Sequence, residues 1–159
     1  SPVQPTPQPS VKPTLKPTKP TNKPNIVKNK VYKVGNYKYK VTKVSSKKGE
    51  VTLKGIRNKN IKNIKIPNNV KINNVVCKVT AVGNSAFKGC KKVTKITIGK
   101  NVKKIGKKAF YQCKKIKKVI VRSTVLKSVN KSAFKNTNKR IKYQLPKSKK
   151  KVYKRFFSR

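Results

Sequence analysis

One sequence pattern occurs twice, 23 residues apart, and returns in altered form after a further 24. The first copy runs from Val82 through Gly83, Ala86, Phe87, Cys90, Val93 and Ile96 to Ile98. The second runs from Ile105 through Gly106, Ala109, Phe110, Cys113, Ile116 and Val119 to Val121. The third, from Val129 to Leu145, keeps Ala133 and Phe134 but carries Thr137 at the cysteine position, Asn130 for glycine, and Ile141 displaced by one residue. No other feature constrains the fold as much. A fixed interval of this size marks a solenoid, in which one copy makes one coil and only stacked neighbours bury the apolar face.

The pattern begins earlier in partial form. Ile61, Ile64, Ile66 and Val70 have the spacing of Val93, Ile96, Ile98 and Val102, so a half-repeat precedes the full coils. Between them, residues 71–79 read as a small hairpin insert, because Asn73 and Asn74 tolerate the left-handed backbone of a tight turn. Residues 26–60 read as an antiparallel meander: Val31 to Val34 and Tyr37 to Val44 alternate with period two around Gly35-Asn36, and a turn at 45–49 leads into Glu50 to Lys54. Its economical role is to cap the first coil. The coils themselves are expected over residues 61–147.

The ends differ in character. Residues 1–25 hold eight of the ten prolines and repeat Lys-Pro-Thr at Lys12, Lys16 and Lys19. With no apolar periodicity, this reads as a disordered, extended Pro/Thr/Lys spacer, of a kind that separates a displayed domain from something else. A Pro-rich ligand or a glycosylated stalk are its functional alternatives. The chain opens within this spacer at Ser1, with no initiator Met, signal peptide or transmembrane run, and is expected to be a piece of something larger. Residues 148–159 place Val152, Tyr153, Phe156 and Phe157 at helical spacing among six Lys or Arg residues. They read as a basic capping helix with Ser148 as its N-cap, covering the last coil. A membrane-docking amphipathic helix is the other reading.

Within each coil, period-two alternation sends Ile96 and Ile98 inward, with Val119 and Val121, then Tyr143 and Leu145, in equivalent places. Phe87, Phe110 and Phe134 fill the opposite side of the core, supported by Val93, Ile116, Cys90 and Cys113. The intervening residues share the outer face of one sheet: Asn63 and Lys65, Lys95 and Thr97, Lys118 and Ile120, Lys142 and Gln144. Parallel strands lie about 4.8 Å apart, so Lys95, Lys118 and Lys142 are expected to form a ladder of like charges. A polyanion laid along that ladder would relieve its repulsion. Lysine is also a common soluble residue on any exposed strand, and Lys91, Lys92, Lys114 and Lys115 on the turns share that reading. Cys90 and Cys113 read as buried thiols whose weak S–H donors serve turn carbonyls, with a disulfide between them as the alternative.

Composition narrows the chemistry. The chain has 46 Lys plus Arg against the single acid Glu50, giving a net charge of +45, with no His and no Asp. No general base and orienting group can be paired from what remains, so catalysis is not expected. Cys77, Cys90 and Cys113 lack metal-ligand spacing, so no metal and no cofactor is expected. The surface should instead attract polyanions such as anionic cell-wall polymers, glycans or nucleic acid, the last without sequence preference.

These residues resemble the BspA-type leucine-rich repeats of bacterial surface proteins. The likeness rests on Gly83, Ala86, Phe87, Cys90, Val93, Ile96 and Ile98, and on Gly106, Ala109, Phe110, Cys113, Ile116, Val119 and Val121, and covers about residues 60–145. It implies a β-rich leucine-rich-repeat solenoid with short helical turns. It also implies an extracellular, often wall-attached module that binds host or surface ligands and has no catalytic activity. The expected function is surface interaction or adhesion through a lysine-rich repeat face (Lys65, Lys95, Thr97, Lys118, Ile120, Lys142, Gln144). The expected partners are anionic cell-wall polymers or glycans, or host surface proteins, with the chain itself monomeric. The alternatives are a basic nucleic-acid-binding protein or the binding appendage of a larger secreted enzyme.

Overall fold

A computed structural model describes residues 2–5, 7 and 25–158, so the expected spacer falls almost wholly outside the described residues. Three antiparallel strands come first: β1 (Val31–Val34), β2 (Tyr37–Val44) and β3 (Lys48–Ile56). Next are β4 (Asn63–Lys65), β5 (Asn69–Ile72), β6 (Val75–Val82), β7 (Lys95–Ile98) and β8 (Lys104–Ile105). They are followed by β9 (Lys118–Val121), β10 (Ser128–Val129) and β11 (Lys142–Gln144). A 3-10 turn (Lys147–Lys149) and helix α1 (Lys150–Phe157) close the fold.

Two sheets enclose the core. One has seven strands in the order β1-β2-β3-β6-β8-β10, with β5 also against β6; the other has four, β11-β9-β7-β4. From β3 onward each coil gives one parallel rung to each sheet, so β3/β4, β6/β7, β8/β9 and β10/β11 make four coils. The chain is a β-solenoid.

The sequence reading differs from this architecture in three places. The meander is more than a lid, because the free edge of β3 pairs parallel with β6, setting Val51 opposite Val79 and Leu53 opposite Val82. A buried strand edge needs partners for its backbone groups, and β6 supplies them. The hairpin is longer than residues 71–79. It runs from Asn69 to Val82 around Asn73 and Asn74, at φ 46° and 66°, and its second strand is a rung of the solenoid. Strands β8 and β10 have two residues each, too few for alternation to mark them.

The core is a ladder. Phe87 and Phe110 stack with ring centroids 5.3 Å apart and planes 2° apart, and Phe110 and Phe134 follow at 5.0 Å and 17°. Aromatic rings close both ends of it. Tyr37 of the meander meets Phe87 edge-on at 5.7 Å, while Tyr143 and Phe157 both meet Phe134 at 5.9 Å. Ile96, Ile98, Val119 and Val121 are buried across from the ladder, as are Val93, Ile116, Cys90 and Cys113. Tyr143 and Leu145 are only half-buried, because no further coil among the described residues lies beyond β11.

Helix α1 folds back over this end. Tyr153 and Phe157 are buried, and the Leu126 N–H donates to Tyr153 Oη at 2.9 Å. The helix begins at Lys150 with no side-chain cap, and Ser148 lies inside the 3-10 turn, so Ser148 is not its N-cap. The turn bends the chain off Pro146, whose carbonyl accepts from the Lys149 N–H at 3.0 Å.

Three successive coils also repeat a left-handed residue one position before the cysteine site: Gly89 at φ 76°, Gln112 at 63° and Asn136 at 57°. Only the first is free of a Cβ clash with the following carbonyl oxygen. Gln112→Gly is therefore expected to raise stability by roughly 0.5–1 kcal/mol, the relieved strain less the entropy of a new glycine. A denaturant midpoint lower than that of the unchanged chain would mean that the Gln112 side chain contributes more than its backbone costs.

Candidate functional site

The four-stranded sheet presents its outer face in two rows, and its pairing fixes which residues stand together. Asn63, Lys95, Lys118 and Lys142 are successive register partners, and so are Lys65, Thr97, Ile120 and Gln144. The inner partners Ile64, Ile96, Val119 and Tyr143 hold that register from behind, because slipping by one residue would turn every core side chain outward. Lys65, Lys95, Lys118, Lys142 and Gln144 are exposed; Thr97 and Ile120, flanked by strands on both sides, are half-buried. Three lysines thus start from adjacent parallel strands about 4.8 Å apart, and like charges held at that spacing would repel by on the order of 1 kcal/mol even in water.

The meander braces one end of this face. The Lys65 N–H donates to Tyr37 Oη at 3.2 Å, which ties the first rung to the ring closing the phenylalanine ladder. Burial pushes the Tyr37 phenol above its ordinary range, against the pull of that hydrogen bond.

At the other edge the face runs into a shallow groove of about 350 Å³ lined by Lys100, Ile120, Arg122, Gln144, Leu145 and Pro146 among others. Lys100 and Arg122 add two cations to the row, and sequence reasoning missed both. The available signal was their position at the corner where the coil turns: Arg122 directly follows the buried strand end Val121, and Lys100 follows the buried strand end Ile98 after Gly99. That corner is tight. A Cβ on Gly99 would come within 2.6 Å of the Ile66 carbonyl oxygen and 2.7 Å of that of Pro67, so the backbone of this coil must be bare there. In the next coil Arg122 takes the same place, its N–H donating to Ile98 O at 3.0 Å, and its side chain enters the groove.

Elsewhere the cations are spread. Lys91, Lys92, Lys114 and Lys115 are exposed on turns. Lys88 and Lys108 sit over the Tyr111 ring at 5.6 and 5.1 Å, and Asn136 Nδ2 donates to that tyrosine's hydroxyl at 3.0 Å. The cysteines belong to the interior: Cys77, Cys90 and Cys113 are buried free thiols. Cys113 Sγ donates to Phe87 O at 3.1 Å, so the thiol satisfies a carbonyl of the coil below. The neighbouring Cys90 sulfur, then burial, hold Cys113 above the ordinary thiol range, which makes it a poor nucleophile. In the last coil Thr137 Oγ1 donates to Phe134 O at 2.6 Å and supplies the turn with a donor that cysteine no longer provides.

Among the described residues no three His, Cys, Asp or Glu side chains come together, and no helix is long and apolar enough to cross a membrane. Chemically, the sheet face offers a row of ammonium and guanidinium donors with one partly exposed apolar side chain, Ile120, between them.

Comparison with known proteins adds the following. The model of the BspA type leucine rich repeat region matches residues 51–159 in six copies. No curated protein matches the chain. A leucine rich cell surface protein from Faecalibacterium prausnitzii has a similar structure, with a TM-score of 0.54 at 23% identity, over 73% of this chain and 31% of that one. The pneumococcal vaccine antigen PcpA is similar with a TM-score of 0.53 at 21% identity, over 76% and 39%. A leucine-rich repeat protein from Bacteroides capillosus gives 0.52 at 18%, over 73% and 98%. The chain therefore spans about a third of the length of the first two, and the likeness is one of fold.

Proposed function

The chain belongs to the BspA-type leucine-rich repeat family, and from that premise we propose that it is a non-catalytic interaction module working outside the cell. It grips anionic polymers of walls or glycan coats, or acidic host surface proteins, with the outer face of its four-stranded sheet. The observation that carries this reading is the register that sets Lys95, Lys118 and Lys142 side by side, with Lys65, Lys100 and Arg122 at the margins. Set in a row by the backbone, these cations can meet an anionic chain together, and each cation that meets the chain releases counterions from it. The extracellular setting draws support from the similar structures, one of a cell surface protein and one of a vaccine antigen.

A polyanion panel tests this. Purified teichoic acid, a sulfated glycan and duplex DNA are titrated against the protein at one fixed ionic strength. The surface polymers are expected to bind at least tenfold more tightly than DNA, because a flexible chain can follow the sheet's short row of cations and a stiff duplex cannot. Equal affinity for all three would reduce the face to unspecific charge. The chain has no histidine, and no side-chain type it contains ordinarily titrates between about pH 5 and 8. Any pH dependence of binding at the sheet face in that window is therefore expected to come from the ligand and not from a side chain of that face.

A further inference from the structure

The end of the solenoid carries a second concave feature that the sheet face does not explain. A cleft of about 840 Å³ opens between the last coil and the C-terminal part of α1. That volume lies in the range of small-molecule sites, roughly 300–1,000 Å³. Tyr143 separates it from the sheet face: its neighbours Lys142 and Gln144 point out, while Tyr143 points in and stacks on Phe157 at 4.8 Å. The floor is aromatic, made by Phe134, Phe157 and Tyr143, and the half-buried Phe156 forms a wall.

The polar groups of the cleft fall into two sets. Several neutral atoms are engaged within the protein. Asn130 Oδ1 accepts from the Ser132 N–H at 3.0 Å and from Ser132 Oγ at 2.8 Å, Ser132 Oγ accepts from the Lys108 N–H at 3.2 Å, and Asn136 Nδ2 is bound to the Tyr111 hydroxyl. The charged ones, Lys131, Lys135 and Arg155, are exposed at the rim, with the Arg155 guanidinium 5.4 Å above the Phe156 ring. Among the described residues no acid lines the cleft.

We propose that this cleft binds an amphiphilic anion, a molecule with a flat apolar body and one anionic head. An apolar body gains by covering the aromatic floor. The charged groups that line the cleft among the described residues are all cations, so the head they would orient best brings anionic oxygens. A neutral apolar molecule would leave those cations partly desolvated and unpaired, and an inorganic anion would leave the exposed part of Phe156 in water. The site is independent of the sheet face, and neither requires the other.

The probe is anilinonaphthalene sulfonate, followed by its fluorescence, with neutral phenylnaphthylamine and inorganic sulfate as controls. One equivalent is expected to bind, and each control is expected to bind about tenfold or more weakly. The double variant Lys131→Gln, Arg155→Gln should weaken the probe about tenfold. Lys95→Gln, Lys118→Gln and Lys142→Gln together should change its affinity by less than about twofold, since those side chains lie on the far side of β11. All of these substitutions are at exposed positions, and unchanged circular dichroism and melting midpoints will show that the variants are folded. The proposal is overturned if several equivalents bind, if sulfate displaces the probe at equal concentration, or if the sheet-face variant loses as much as the cleft variant.

Discussion

Phe110→Ala is expected to cost about 3–5 kcal/mol, enough to bring a domain of this size to the edge of folding. Phe110 is fully buried and lies in the middle of the ladder, stacked on Phe87 below and Phe134 above. Truncation removes its own buried area and both ring pairings, each worth about 0.5–1.5 kcal/mol beyond burial. In a solenoid, moreover, each coil is held only by its neighbours, so a gap in the middle coil separates the two halves. The same change at Leu145, which is half-buried at the end of the stack, should cost well under half as much. Both are read from denaturant midpoints in moderate salt, which keeps the lysine repulsion from obscuring the core effect. A Phe110→Ala midpoint equal to that of the unchanged chain would mean that the ring does not lie inside the stack.

What the sequence disclosed was whatever repeats. Ile96, Ile98, Val119 and Val121 occupy equivalent places because one coil is a copy of another, and the outward placement of Lys95 and Lys118 follows from the same alternation. The parts that escaped are those the period does not carry. Rungs of two residues, such as Lys104–Ile105 and Ser128–Val129, leave no alternation to read. The parallel pairing of β3 with β6 joins segments about 28 residues apart, and neither strand's composition distinguishes that partner from an antiparallel one. Leu145 is less buried than its place in the repeat predicts, because the last coil has α1 in place of a further coil and α1 covers only part of it. Ser148 has the chemistry of a cap, but Pro146 starts a 3-10 turn that carries Ser148 past the position where a cap would act. Lys100 and Arg122 escaped because they come from the corners, where the copies differ: the tight Gly99 corner has become Arg122 one coil later.

These two corner cations complete the set on which the second large effect depends. With Lys65, Lys95, Lys118 and Lys142 they make six positive groups along one face, so binding of a linear polyanion should fall by about a thousandfold between 50 and 200 mM salt. Lysines elsewhere, including those on the turns, add attraction that any position could replace. Lysines fixed in register engage the polymer together. Neutralising one of these six cations should flatten the plot of log affinity against log salt by about 0.7–0.9, depending on the polymer's charge density.

The measurement that bears most directly on this account compares the salt dependence of polyanion binding by two triple variants of equal net charge. One changes Lys95, Lys118 and Lys142 to Gln; the other changes the exposed turn residues Lys91, Lys92 and Lys114 to Gln. The first is expected to lose about two to three units of slope and most of the affinity at low salt, and the second less than one unit. Equal loss of slope in the two variants would contradict the account, because it would show that the anion meets a diffuse field of charge in which the register of the sheet plays no part.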